Sequence, residues 1–169
     1  MNVFDFAIDL ERSGRQFFQK LAEKSEHEGV RTIFAMMAED EQELLEKFQA
    51  MRVSTQASTM EDSWALEYAK NVFQEGLNEY EALQIDNSLE AYNYVMKVEK
   101  DIYSLYLKAA ERETNGDVKG LLLKIAEEER RELDNIRRVY DFVNAPNEFL
   151  AWGEFSNLGE FYNFGRDEG

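Results

Sequence analysis

Apolar residues recur at intervals of three and four over several long blocks of the chain, the spacing of helices with one buried face. The pattern predicts helices over about 2–27 and 30–53, joined by a turn at Glu28-Gly29. A third helix opens with Asn87 and Glu90 as a capping box and runs to about 113. After a turn at Thr114-Asn115-Gly116, a fourth runs from Asp117 to about Val143. Between the second and third, a further helix over about 60–84 is expected, with Ser58 and Glu61 as its capping box. Its apolar stripe is Ala65, Ala69, Val72, Phe73, Gly76, Leu77, Tyr80 and Leu83. The single proline, Pro146, precedes a short helix in a tail rich in aromatics and glycine. The chain otherwise lacks strand punctuation and is rich in helix-favouring residues.

The blocks repeat. Residues 3–51 shifted by 88 positions fall on 91–139 without a gap. Glu11 meets Glu99, Lys20 meets Lys108, Glu41 meets Glu129 and Leu45 meets Leu133. Phe18 meets Tyr106 and Met37 meets Ile125, so apolar positions match as well. The first two helices and the last two are therefore two copies of one hairpin, and the period implies a duplicated bundle rather than a solenoid. The fold expected is all-α, a four-helix bundle of two repeated hairpins over 1–143 whose long crossover contains the extra helix. The tail 144–169 is expected to pack on the bundle or on a dimer partner.

Four glutamates interrupt the apolar faces. Glu11 sits among Phe4, Ala7, Gly14 and Phe18, and Glu41 among Phe34, Met37, Leu45 and Phe48. Glu99 sits among Tyr92, Val95, Ile102 and Tyr106, and Glu129 among Leu122, Ile125, Leu133 and Ile136. Each should point into the core. Glu11 and Glu41 each lie 15 residues from position 26, and Glu99 and Glu129 each 15 from position 114. At 1.5 Å per residue all four stand roughly 22 Å from their turns. A crossover of about 25 helical residues, roughly 37 Å, returns the chain along the bundle and sets the third helix parallel to the second. All four glutamates then share one layer, and Glu132, one turn beyond Glu129, makes a fifth.

Burying an ion costs several kcal/mol even after relaxation, against a domain stability of only ~5–15 kcal/mol. The layer is therefore either protonated or neutralised by cations. Two divalent ions would offset four of the five charges, and oxygen ligation suits iron(II), manganese or magnesium. The alternative is that the glutamates snorkel to helix edges, which four central positions at one height argue against. Composition narrows the rest. Lys+Arg total 19 against Asp+Glu 35, a net charge of −16, which argues against nucleic acid and anionic membranes as partners. Cysteine is absent, excluding disulfides, thiolate zinc and iron–sulfur clusters. No signal peptide or spanning run is evident, so a cytoplasmic protein is expected.

The segments AIDLERSGRQFFQKLAEK with MMAEDEQELLEKF, and YVMKVEKDIYSLYLKAAERE with IAEEERREL, resemble the rubrerythrin branch of the ferritin-like superfamily over about 3–140. The resemblance implies a bundle holding two iron ions, with manganese or zinc as alternatives. Its ligands would be Glu11, Glu41, Glu99, Glu129 and Glu132. Two positions depart from the pattern. Leu44 stands where the family usually has the histidine of Glu-x-x-His, and Met96 where rubrerythrins carry a further carboxylate. The lone histidine, His27, falls at a turn and is expected in solvent. The rubredoxin-like cysteine domain is missing, so redox turnover would need an external electron donor.

Three functions follow. The first is a di-iron oxidoreductase, of peroxidase or ferroxidase type, that oxidises Fe(II) with peroxide or oxygen. The second is a metal-binding bundle without turnover, and the third a metal-free structural or interaction protein. Tyr103 and Tyr106 beside Glu99 are read as core residues first and as ligand-bonding or electron-relaying groups second. The aromatic tail, with Phe149, Trp152, Phe155, Phe161, Tyr162 and Phe164, together with the crossover predicts a homodimer.

Overall fold

The computed structural model describes residues 1–55, 61–67, 69, 73, 85 and 87–161, with side chains as far as 141. The chain divides into two compact units, Met1–Leu133 and Asp134–Gly169. Regular structure among the described residues is four helices: α1 (Val3–Lys24), α2 (Glu28–Ser54), α3 (Ser88–Arg112) and α4 (Gly116–Phe161). None of them is long and apolar enough to cross a membrane. The fold is the all-α bundle that the periodicity predicts, of the ferritin-like kind that the resemblance implies.

Three helices open on asparagine caps. Asn2 Oδ1 accepts from Phe4 N–H at 3.0 Å, and Asn87 Oδ1 from Glu90 N–H at 3.0 Å. Asn115 Oδ1 accepts from Asp117 and Val118 N–H at 3.0 and 3.2 Å. Each bond satisfies a donor that the helix cannot. The two inter-helix turns are equivalent in the repeat. Ser25–His27 and residues 113–115 are both three residues long and stand 88 apart, so the gapless register holds through them.

Three expectations need correcting. The first turn is not at Glu28-Gly29, which lie inside α2. Ser25 closes α1 instead, its N–H and hydroxyl both bonding the Leu21 carbonyl, at 3.1 and 2.6 Å. The last helix does not stop at Val143 but continues through Pro146 to Phe161. A proline removes one backbone donor, and the helix continues across it. The crossover helix does not begin at about 60, because 61–67 form irregular chain and turns. The rest of that predicted helix, apart from residues 69 and 73, lies outside the described residues, as do Ser58 and the aromatic side chains of the tail.

Four observations orient the bundle. Asp5 near the start of α1 pairs with Arg52 near the end of α2 at 2.8 Å, so these helices are antiparallel. A side chain on Gly29 would overlap the Ser88 hydroxyl, which places the starts of α2 and α3 together. Glycine is needed there for the close approach. Glu41 and Glu99, 12 and 11 residues further on, repel each other, so α2 and α3 run parallel. Lys47 on α2 pairs with Glu128 on α4 and ties in the second hairpin.

The connection climbs between these ends. At the lower end Ser63 N–H bonds the Met1 carbonyl at 2.9 Å, and Asn115 Nδ2 donates to Glu61 at 2.9 Å. Further up, Phe73 is buried against Phe17 and Phe18, and Asn87 reaches the upper end beside Gly29. Glu113 anchors the lower end. It is only 5% exposed, accepts from the Ser63 hydroxyl at 2.8 Å, and accepts from Thr114 and Asn115 N–H at 3.0 and 3.1 Å. Burial alone would raise its carboxyl, but the bonds from Ser63, Asn115, Thr114 and the backbone at Ala65 outweigh it and hold the group below its usual range.

Glu113→Ala should therefore cost about 2 kcal/mol in urea unfolding at pH 7, since it strands the Ser63 hydroxyl and two N–H groups. Because the folded value is depressed, this contribution is present above the unfolded carboxylate value and is lost as pH falls through the folded one. The gap between variant and wild type should accordingly narrow at acid pH, as Glu113 protonates.

Candidate metal centre

One glutamate from each helix enters the core. Glu11 on α1 and Glu129 on α4 are 1% exposed, and Glu41 on α2 and Glu99 on α3 are 2% exposed. The helix faces leave them no alternative. Phe4, Phe18, Phe34, Phe48, Ile102 and Ile125 on the same faces are at most 1% exposed, so rotating a glutamate outward would rotate the core with it.

The layer is electrostatically hostile. Burial raises all four carboxyls well above the ordinary carboxylate range, and repulsion between them adds to it. Glu11 feels Glu41, Glu41 feels Glu99, Glu99 feels Glu129 and Glu129 feels Glu11. Glu11 lies within hydrogen-bond reach of both Glu41 and Glu129, contacts that require a proton between the two acids. Without such protons the oxygens have no donors. Both oxygens of Glu41 and of Glu129, one each of Glu11 and Glu99, and the Tyr106 hydroxyl are buried with no hydrogen-bond partner. Tyr106 is fully buried, packs edge-on against Phe6 at 6.1 Å, and has its phenol raised by burial and by Glu129, Glu11 and Glu41. Native interiors rarely leave so many polar atoms orphaned in one place.

Glu132 sits differently. It is half-exposed and acts on all four core glutamates from the rim, where it meets Asp40 of α2. Burial, then Glu132 and Glu43, push the Asp40 carboxyl up to about 7. Sequence reasoning missed Asp40 because it stands beside Glu41, off the apolar stripe. Two other positions are as expected: His27 is exposed and Leu44 is buried at 6%. Met96 is half-buried and Tyr103 partly exposed, so Tyr106 is the tyrosine that faces the layer.

These residues fit a hard cation in donor type, burial and level, since orphaned buried oxygens are what such an ion satisfies. Their present side-chain positions do not converge on one point: among the described residues no three acidic or histidine groups form a coordination shell. A bundle with one buried glutamate per helix defines the carboxylate class of ferritin-like proteins. The rubrerythrin family profile matches residues 2–140, and the chain belongs to that family, whose members typically bind iron. No curated protein and no solved structure matches the chain.

The raised carboxyls reverse the usual effect of pH. Between the unfolded carboxylate value and the raised folded ones, the folded state binds more protons than the unfolded state, so stability falls as pH rises. Chelator-treated protein should lose unfolding free energy, measured with urea, as pH rises above the ordinary carboxylate range. Glu41→Gln, which removes one charge, should flatten that slope; an unchanged slope would mean that the layer does not titrate in this range.

Proposed function

We propose that the protein is a non-haem di-iron carboxylate protein that oxidises Fe(II) with peroxide or oxygen. The observation that carries this reading is the set of orphaned carboxylate oxygens, whose strongest charged neighbours are other carboxylates. Glu11, Glu41, Glu99 and Glu129 would hold two metal ions from the four helices, with Glu132 closing the rim. When bound, two Fe(II) supply the two electrons that, with two protons, reduce hydrogen peroxide to two waters. The chain's own part is to hold the ligands and manage protons. The apolar faces keep bulk water from the layer, and carboxyls that bind protons readily exchange them for metal charge. Asp40, half ionised near neutral pH, stands at the rim beside Glu132, where protons can enter.

A second reading, metal binding without turnover, is favoured by one feature. Leu44 fills with hydrocarbon the position where the family usually offers imidazole. Manganese or zinc would then serve as well as iron. An external electron donor, a homodimer and a cytoplasmic location belong to the same proposal and are supported by the sequence alone. Sedimentation of the full chain at micromolar concentration tests the dimer.

Elemental analysis of protein from iron-supplemented cells should find close to two metal ions per chain. Glu41→Ala and Glu129→Ala should each lose most of this metal. No metal as purified, and none taken up from anaerobic Fe(II), would remove both metal readings.

Turnover is tested separately. Fe(II)-loaded protein mixed with hydrogen peroxide should develop ferric absorbance in the near ultraviolet faster than free Fe(II). Leu44→His should tighten binding and speed that reaction, since it points an imidazole inward from the same face. If both proteins react no faster than free iron, the oxidoreductase reading fails and metal binding stands.

A further inference from the structure

The connection brings an aromatic ring to the glutamate layer, and the two meet at a glycine. Gly14 is buried on the inner face of α1, three residues beyond Glu11. A Cβ on Gly14 would stand 2.7 Å from Glu41 Cδ, 2.7 Å from Glu41 Oε2 and 2.7 Å from Phe73 Cζ. The Glu41 carboxylate and the tip of the Phe73 ring therefore share the space that a side chain at 14 would take. The ring is 2% exposed and is held by Phe17 at 5.5 Å and Phe18 at 5.8 Å between ring centres. Glycine in mid-helix works against the helix, so its presence here answers a steric need.

The repeat gives an internal control. The residue 88 positions beyond Gly14 is Ile102, which is 1% exposed and fills its place with a branched side chain. The connection that supplies Phe73 lies outside the gapless repeat of 3–51 and 91–139. Glu41 and Glu129, equivalent by duplication, therefore sit in unlike surroundings.

We propose that Gly14 and Phe73 are positioning residues for Glu41. The missing side chain at 14 admits the carboxylate to the layer, and the Phe73 ring fixes it from one side and shields it from water. The two halves of the centre are thereby unequal, with Glu41 the carboxylate whose place depends on bare backbone. The inference rests on reading Glu41 as a metal ligand.

The test compares wild type, Gly14→Ala, Phe73→Ala, the double variant and Glu41→Ala. Each is measured for anaerobic Fe(II) affinity against a competing chelator, for the rate of metal release, and for urea unfolding of the metal-free form. Gly14→Ala should fold, since the Glu41 side chain is flexible and its carboxylate can move away from the new methyl group. It should bind Fe(II) at least tenfold more weakly, a loss larger than any change in its urea unfolding. Phe73→Ala should release metal at least fivefold faster. The double variant should regain much of the affinity lost in Gly14→Ala, because the vacated ring space lets Glu41 and the new methyl group coexist. A merely structural role for either residue would not produce that rescue. Wild-type affinity in Gly14→Ala, with Glu41→Ala losing its metal, would overturn the positioning role and leave the metal reading intact. Unchanged binding in Glu41→Ala would overturn both. Should Gly14→Ala fail to fold, an unchanged release rate in Phe73→Ala overturns the proposal.

Discussion

Four like charges held at one level in an apolar core are the constraint around which the bundle is arranged. A buried carboxylate costs several kcal/mol unless something compensates it. Here each one faces others rather than a base. The helices are nevertheless set to bring them together. Two three-residue turns at equivalent points of the repeat level Glu11 with Glu41 and Glu99 with Glu129. The close pass of Gly29 by Ser88 then levels the two hairpins with each other. A shift of one residue at any of these points would rotate a glutamate by about 100° around its helix and take it out of the layer.

The same bundle contains a buried carboxylate of the opposite kind. Glu113 is nearly as inaccessible as Glu41, yet its carboxyl is lowered while that of Glu41 is raised. Burial pushes both upward; donors pull Glu113 down, whereas neighbouring carboxylates push Glu41 further up. Glu113 has the Ser63 hydroxyl and backbone N–H groups around it, whereas Glu41 has no donor to either oxygen. One acid is complete within the protein and ties the connection to a helix end. The others are complete only with something added, a proton or a metal, and that incompleteness separates a site from a structural contact.

The glutamate layer was legible in the sequence because helical periodicity reports on faces, and a charge on an apolar face is conspicuous. The duplication made its height readable as well, since equal distances from two turns survive small errors in helix ends. What periodicity does not report is contact between segments distant in the chain. Asp40 and Glu132 meet from different helices, and although Glu132 stands one turn beyond Glu129 on the face of the layer, Asp40 alone looks solvated. Ser63 and Glu113 are 50 residues apart and share no pattern. The meeting of Gly14, Glu41 and Phe73 depends on one ring from the connection, a segment with no counterpart in the periodicity of the bundle helices. Pro146 misled for a different reason: the handling of a single missing hydrogen bond is decided by the helix around it rather than by the proline.

The order of the helices also decides when the chain meets its own repulsion. Hairpins closed by three-residue turns have short-range contacts and form quickly, and during synthesis α1 and α2 can pair before α3 exists. Within one hairpin only two of the four glutamates face each other. The complete layer appears only when the second hairpin docks, after the connection has carried the chain back along the bundle. Charge therefore opposes the last step of assembly far more than the first, and whatever neutralises the layer acts as the latch on that step.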